Sequence, residues 1–213
     1  MKVALIGATG YIGSALLQET LARGHSVTAI VRNPAKLAAH ERASAKAVDL
    51  LDTAALTEAL KGHDAVLASY NPGHDGDDVR QRMAAGGRSI IDATKAAGVP
   101  RLLTVGGAGS LYVAPGVQVL DNPEFPAQWR PGAEGTRDFL HMLRDEPTLN
   151  WTMLSPAALI EPGAKQGSFR LGLDDLVVDA SGKSRITTGD YAVAMLDELE
   201  KPQHPRQRFT LAY

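Results

Sequence analysis

Apolar and polar positions alternate along the first half of the chain with two different periods. Residues 3–6 are a short apolar run with β-branched ends, the pattern of a buried strand. A glycine-rich turn follows. Ile12, Leu16, Leu17 and Leu21 then recur on one helical face until Gly24 stops it. Residues 26–31, β-branched at Val27, Thr28, Ile30 and Val31, predict a second strand. A short helix is expected at 34–39 and a brief third strand at 45–48. Asp52 can cap a helix whose Leu56 and Leu60 lie one turn apart and which Gly62 ends. Residues 65–69 predict a fourth strand, about 77–97 a long helix closed by Gly98 and Pro100, and 101–105 a fifth strand. Strand–helix alternation with short loops implies right-handed crossovers and a parallel sheet covered by helices on both faces.

Beyond residue 105 the pattern loosens. Residues 106–131 are rich in Gly and Pro and show no period; a loop that long inside a compact domain is generally functional. A helix at 132–143 and a strand at 151–155 are expected next. Short β-like pieces at 168–171, 176–178 and 184–187, a helix near 189–199 and a last strand at 208–211 complete the chain. The organisation expected is one domain over 1–213, with a core of about 1–155 and a small C-terminal lobe of about 156–213 over the sheet edge.

Composition removes several function classes. The chain has 213 residues, a hydrophobic share of 44% and a formal net charge of −2, so no global basic field would attract nucleic acid or an anionic membrane. There is no cysteine, which excludes disulfides, thiol catalysis, cysteine-bound zinc and iron–sulfur ligation. The histidines are scattered without metal-ligand spacing, so no metal site is expected. The opening apolar run breaks at Gly7 and Gly10, and so reads as a strand and not a signal peptide. A cytoplasmic protein with neither a nucleic-acid nor a membrane partner is expected.

The turn Gly7-Ala8-Thr9-Gly10-Tyr11-Ile12-Gly13 carries the chemistry. Glycine lets the backbone turn tightly and approach a pyrophosphate, and the helix that follows offers free N–H groups and a positive dipole end. The strand before it, the amphipathic helix after it and a further strand about twenty residues on are the setting of a dinucleotide fingerprint. The fold class expected is therefore α/β, a Rossmann-type doubly wound parallel sheet with a small C-terminal substrate lobe. The same glycines would also serve a tight turn with no ligand.

At the end of the second strand, where NAD enzymes usually place an acid for the ribose hydroxyls, the sequence has Arg32, with Lys36 one turn on. A guanidinium fork suits a 2′-phosphate, so NADP(H) is the expected cofactor, with NAD possible because nothing repels it. Asp49 and Leu50, after the third strand, can flank adenine; Asp49 equally suits helix-capping chemistry.

These segments, together with Val31-Arg32-Asn33-Pro34, the run from Val105 to Leu111, Leu154-Ser155-Pro156-Ala157-Ala158 and the closing run from Lys201 to Thr210, resemble one family over nearly the whole chain. It is the NADH-flavin reductase family of atypical short-chain dehydrogenase/reductases, similar to biliverdin reductase B and more distantly to the NmrA-like NADP-binding regulators. The resemblance implies a nicotinamide site at the fourth, fifth and sixth strand ends: Ser69 and Tyr70; Val105, Gly106 and Gly107; Ser155, Pro156 and Ala157.

The Tyr-x-x-x-Lys pair of conventional short-chain dehydrogenases is missing. Four residues after Tyr11, Tyr70, Tyr112 and Tyr191 stand Ala15, His74, Gly116 and Met195, and Trp129-Arg130 occupies the place where relatives often carry Tyr-Lys. Carbonyl reduction needs stabilisation of a developing alkoxide, whereas a flavin spreads the charge of an added hydride over its conjugated rings. A reductase of a flavin or quinone-like small molecule is therefore expected, a flavin being either its substrate or a bound group. Tyr70, His74 and Ser110 are weak proton-donor candidates, and Trp129 is either a wall over the substrate or an anchor for an irregular loop. A non-catalytic NADP(H) sensor is the alternative; an epimerase fits less well, because the C-terminal lobe is small.

Overall fold

The computed structural model describes residues 1–73 and 75–213. Its first half alternates as the hydrophobic pattern predicts: β1 (Lys2–Ile6), α1 (Tyr11–Ala22), β2 (Ser26–Val31), β3 (Ala43–Ala47), α2 (Thr53–Leu60), β4 (Ala65–Ala68), α3 (Val79–Ala96) and β5 (Arg101–Val105). A hairpin, β6 (Tyr112–Ala114) and β7 (Val117–Gln118), precedes α4 (Arg130–Arg144) and β8 (Asn150–Ser155). Then come β9 (Leu159–Glu161), β10 (Arg170–Gly172), β11 (Arg185–Thr187), α5 (Thr188–Glu200) and β12 (Gln207–Ala212).

Eight strands form the main sheet in the order β10-β12-β8-β5-β4-β1-β2-β3. All neighbours are parallel except β10, which runs antiparallel to β12. This is the doubly wound Rossmann arrangement. Strand periodicity divides the core in two: Val3 and Leu5 of β1 face α1 and α5, while Ala4 and Ile6 face the other layer, built by α2, α3 and α4. Within the segment after residue 155, α5 packs on α1 and β12 lies inside the main sheet; β9 and β11 pair as a separate two-stranded sheet. No helix among the described residues is long and apolar enough to cross a membrane.

Local chemistry sets several boundaries. Asp52 caps α2, its side chain accepting from the Ala55 N–H at 2.9 Å, and Gly62 takes φ 74° just beyond it. The expected helix at 34–39 is a single 3-10 turn, Pro34–Lys36, because Asn33 accepts from the Ala35 N–H and closes an Asx turn. The region 106–131 is ordered by 3-10 turns and the hairpin. Residues 176–178 form no strand. Their backbone is taken up elsewhere, with the Leu176 N–H donating to the Tyr112 carbonyl and Arg170 donating to the Val178 carbonyl.

Candidate functional site

The turn after β1 is held by close packing. Gly7 has φ 76°, and a Cβ there would lie 2.2 Å from the Ser69 carbonyl oxygen. A Cβ on Gly13 would lie 2.0 Å from the Gly7 carbonyl oxygen, so helix and turn meet closely only because both residues lack side chains. Gly10 donates its N–H to that same carbonyl at 2.9 Å and is the N-cap of α1, with no side-chain cap. The first turn of α1 has no side-chain cap, and its residues Gly10, Tyr11 and Ile12 line a cleft.

That cleft, of about 840 Å³, runs across the carboxyl ends of β1, β2, β4 and β5. This is where ligands bind in open parallel sheets. Gly7, Thr9, Gly10, Tyr11 and Ile12 line it from the turn. Arg32 and Lys36 line it beyond β2, and Asp49 and Leu50 beyond β3. Ser69 and Tyr70 follow β4; Val105 and Gly106 stand at the end of β5. Arg32, Lys36 and Asp49 are exposed, and neither cation forms an ion pair with another described residue. Asp49 accepts the Leu51 N–H through Oδ1, a local turn bond, while Asp52 does the helix capping. Both charges reach Tyr70: Arg32 pulls its hydroxyl pKa down and Asp49 pushes it up, against a larger upward push from burial.

Other sequence-predicted residues lie outside the cleft lining. Ala8 is in the core beneath the turn. Gly107 faces Thr136, whose Cγ2 would stand 3.3 Å from a Cβ there. Ser155, Pro156 and Ala157 are buried at the end of β8. Ser155 supports Gly106 directly: a Cβ on Gly106 would meet Ser155 Oγ at 2.9 Å and Met153 Sδ at 2.9 Å. Ser155 Oγ and Thr104 Oγ1 are buried without a hydrogen-bond partner among the described residues. Two unpaired hydroxyls therefore sit in the layer under this end of the cleft.

The proton-donor candidates are largely committed elsewhere. The Tyr70 hydroxyl donates to the Arg82 carbonyl at 3.1 Å, and its ring packs so close to Gly86 that a Cβ there would come within 2.1 Å. Burial raises its pKa, which weakens it further as an acid. Ser110 is buried away from the cleft, its Oγ 3.4 Å from the guanidinium of buried Arg208, which pairs with Asp174. His74 lies outside the described residues. Tyr11 sends its hydroxyl out of the turn to the Ile160 carbonyl at 3.0 Å; burial and then the Glu161 carboxylate push its pKa up. Arg130 donates to the Leu120 and Asn122 carbonyls and lies over the Phe125 ring, fixing the loop before α4. Trp129 is half exposed and does not line the cleft.

Sequence reasoning missed the far wall, which Met83 of α3 and Thr136 of α4 supply along with Arg82. Nothing local marks these positions; the extensive packing of α3 on α4 turns them inward only once both helices are in place. The Thr136 hydroxyl is also committed, donating to the Gly132 carbonyl at 2.9 Å.

The chain is similar to known proteins over nearly its whole length. The NAD(P)H-binding family matches residues 7–199. The uncharacterized protein YwnB of Bacillus subtilis is 41% identical over 99% of this chain and 98% of its own length. A solved structure from Bacteroides thetaiotaomicron, described as a "putative epimerase", is 44% identical with a TM-score of 0.93, covering 100% of this chain and 96% of that one. Another from Streptococcus pneumoniae, described as a "putative NADH-flavin reductase", is 35% identical with a TM-score of 0.84, covering 100% and 99%. Sequence, sheet topology and the glycine turn agree that the chain belongs to the NAD(P)H-binding family of Rossmann-type proteins related to the atypical short-chain dehydrogenase/reductases.

Proposed function

We propose that this chain is an NADPH-dependent reductase that passes hydride to a flavin or a similarly conjugated, quinone-like small molecule. The observation that carries the reading is the commitment of the hydroxyls of Tyr70 and Thr136. Both line the cleft, and both donate to backbone carbonyls and not into the open space. A ketone acceptor asks for a proton at the developing alkoxide. A conjugated acceptor disperses the charge and takes its proton from water. The Streptococcus pneumoniae relative, described as a "putative NADH-flavin reductase", supports the same acceptor class.

The residues present fit a nicotinamide dinucleotide. The uncapped start of α1 suits a diphosphate, and the cleft volume is in the range of cofactor sites. Arg32 and Lys36 would hold the 2′-phosphate, with Asp49 and Leu50 around the adenosine half and Ser69 and Tyr70 at the nicotinamide half. Val105 and Gly106 would flank the nicotinamide half, with Gly107, Ser155, Pro156 and Ala157 supporting it from below. When bound, the nicotinamide supplies the hydride. Gly106 has to be glycine there because Met153 and Ser155 fill the space a side chain would take.

The test follows NADPH oxidation by absorbance with FMN, FAD, riboflavin and a simple ketone in turn, NADH being run in parallel. Saturable oxidation with a flavin and none with the ketone is expected. Tight NADPH binding with no turnover on any acceptor would favour the sensor reading, which the same committed hydroxyls also accommodate.

A further inference from the structure

Trp129 has no anchoring task in the loop that carries it. Its side chain is 53% exposed, and Tyr11 is the only other Phe, Tyr or Trp among the described residues that is as open. Tyr11 is accounted for by its hydroxyl, which donates to the Ile160 carbonyl. The loop before α4 is anchored by the next residue, Arg130, through the Leu120 and Asn122 carbonyls and the Phe125 ring. The backbone of Trp129 is fixed from both sides. Its N–H donates to the Pro126 carbonyl at 3.0 Å, and its carbonyl accepts the Ala133 N–H at 3.0 Å. Pro131 stiffens the first turn of α4. The indole is therefore a flat, open surface on a rigid support.

An exposed apolar side chain is ordinary by itself; the place of this one is not. α4 leads into β8, so its N-terminal end rises beyond the carboxyl ends of the strands. Thr136 marks the level of those ends. Its Cγ2 would lie 3.3 Å from a Cβ on Gly107, and it lines the cofactor cleft with Gly106. Trp129 precedes it by seven residues and already has right-handed helical backbone angles. Seven residues fall about 20° short of two full turns, so the two side chains share one helix face, with Trp129 about 10 Å farther out. The flanks of that face are closed. On one side a Cβ on Gly135 would lie 2.7 Å from Met83 Cβ of α3; on the other Ala133 stands against Gly109, and Arg137 donates to Gln118. Between Trp129 and Thr136 the face is low, because a Cβ on Gly132 would meet nothing nearer than Val79 Cγ1 at 3.8 Å. A shelf thus leads from the Gly106 end of the cleft to the indole.

We propose that Trp129 is the stacking platform for the acceptor, a flat conjugated ring system that lies along this shelf with one end at Gly106 and Thr136 and the other against the indole face. This rests on the reductase reading and deepens it, by naming the residue that selects a planar acceptor. Offset aromatic faces attract beyond the area they bury, and a platform fixed in advance loses little freedom on binding. Three fused rings match the span from Thr136 to Trp129. A small aliphatic ketone is too short to reach the indole and gains nothing from it.

The test is titration of riboflavin into NADP⁺-loaded protein, followed by flavin fluorescence, for wild type, Trp129→Ala and Trp129→Phe. Riboflavin carries no phosphate and so takes no help from Arg32 or Lys36. NADP⁺ binding, measured on each protein, reports that the fold and the cofactor cleft are intact. A stacked indole quenches flavin emission by donating an electron, which a phenyl ring does not do. Wild type is expected to bind and quench. Trp129→Ala is expected to bind roughly three- to tenfold more weakly. Trp129→Phe should regain most of the affinity and yet leave the bound flavin brighter, a separation that a merely structural role would not produce. Equal riboflavin affinity in wild type and Trp129→Ala overturns the inference. So does no recovery in Trp129→Phe, or a wild type that binds no riboflavin. NADPH oxidation by the same three proteins separates this inference from the reductase reading. Trp129-dependent binding without turnover keeps the platform and removes the reductase. Turnover with one flavin KM in all three proteins keeps the reductase and removes the platform.

Discussion

Replacing Arg32 with alanine isolates the cofactor preference from the rest of the site. Arg32 is exposed at the cleft rim without an ion-pair partner among the described residues, so its removal strands no buried charge and leaves the sheet intact. A hydrogen bond to a charged group contributes about 1.5–3 kcal/mol. Solvent screening at the rim moves the expected value to the low end, about 1.5 kcal/mol, which is roughly a tenfold rise in the NADPH dissociation constant. Lys36 remains and holds part of the preference. NADH has no 2′-phosphate, so its affinity should change by less than about twofold, and the NADPH:NADH ratio should fall roughly tenfold. Titration calorimetry with both cofactors at one fixed ionic strength measures this. Added salt should narrow the wild-type preference more than the variant's, since the lost interaction is the screened one. An unchanged ratio in Arg32→Ala would refute the assignment of the 2′-phosphate to this residue.

Gly13→Ala places a methyl group 2.0 Å from the Gly7 carbonyl oxygen, where only backbone can yield. Urea unfolding should show a loss of about 1–3 kcal/mol, together with weakened cofactor binding; an unaffected protein would mean that helix and turn do not meet as described. Ser155→Ala removes a buried hydroxyl that has no partner among the described residues, so the cofactor-free protein should melt at an equal or higher temperature while NADPH affinity drops. Equal NADPH affinity would remove Ser155 from the site. Asp190 is fully buried; burial pushes its carboxyl up, but the Tyr213 hydroxyl, the Gly167 and Gln166 N–H groups and Thr187 outweigh it and hold the pKa below the usual aspartate value. A depressed folded pKa contributes stability that is present above the unfolded value and lost as pH falls through the folded one. Wild type should therefore lose more stability than Asp190→Asn on acidification below about pH 4. Parallel acid-unfolding curves for the two would contradict the network.

The first half of the fold was legible because its signals are local. The apolar runs of β1, β2, β4 and β5, the Asp52 cap and the glycine stops each act within a few residues of where they stand. The glycine turn was legible for the same reason, and Gly7, Gly10 and Arg32 all line the cleft. Tertiary pairing hid the rest. β9 exists through its ladder with β11; β12 was expected as a strand at 208–211, but its place inside the main sheet rests on Phe209 and Leu211, which complete a core begun by β1 and α1. Ser110 reads as a candidate donor by its place after the fifth strand. In the structure it lies outside the cleft lining, and its Oγ accepts from buried Arg208 at 3.4 Å. Met83 and Thr136 carry no sequence mark, since their approach to the cleft depends on how α3 and α4 pack.

The central claim is hydride transfer from NADPH to a conjugated acceptor in this cleft. Rapid mixing of the protein with flavin and NADPH deuterated at the transferring carbon, without oxygen, tests it most directly. Protein-dependent bleaching of the flavin that saturates with NADPH, slows with deuterium and weakens in Arg32→Ala is the predicted result. Saturable NADPH binding with no protein-dependent flavin reduction would contradict the account.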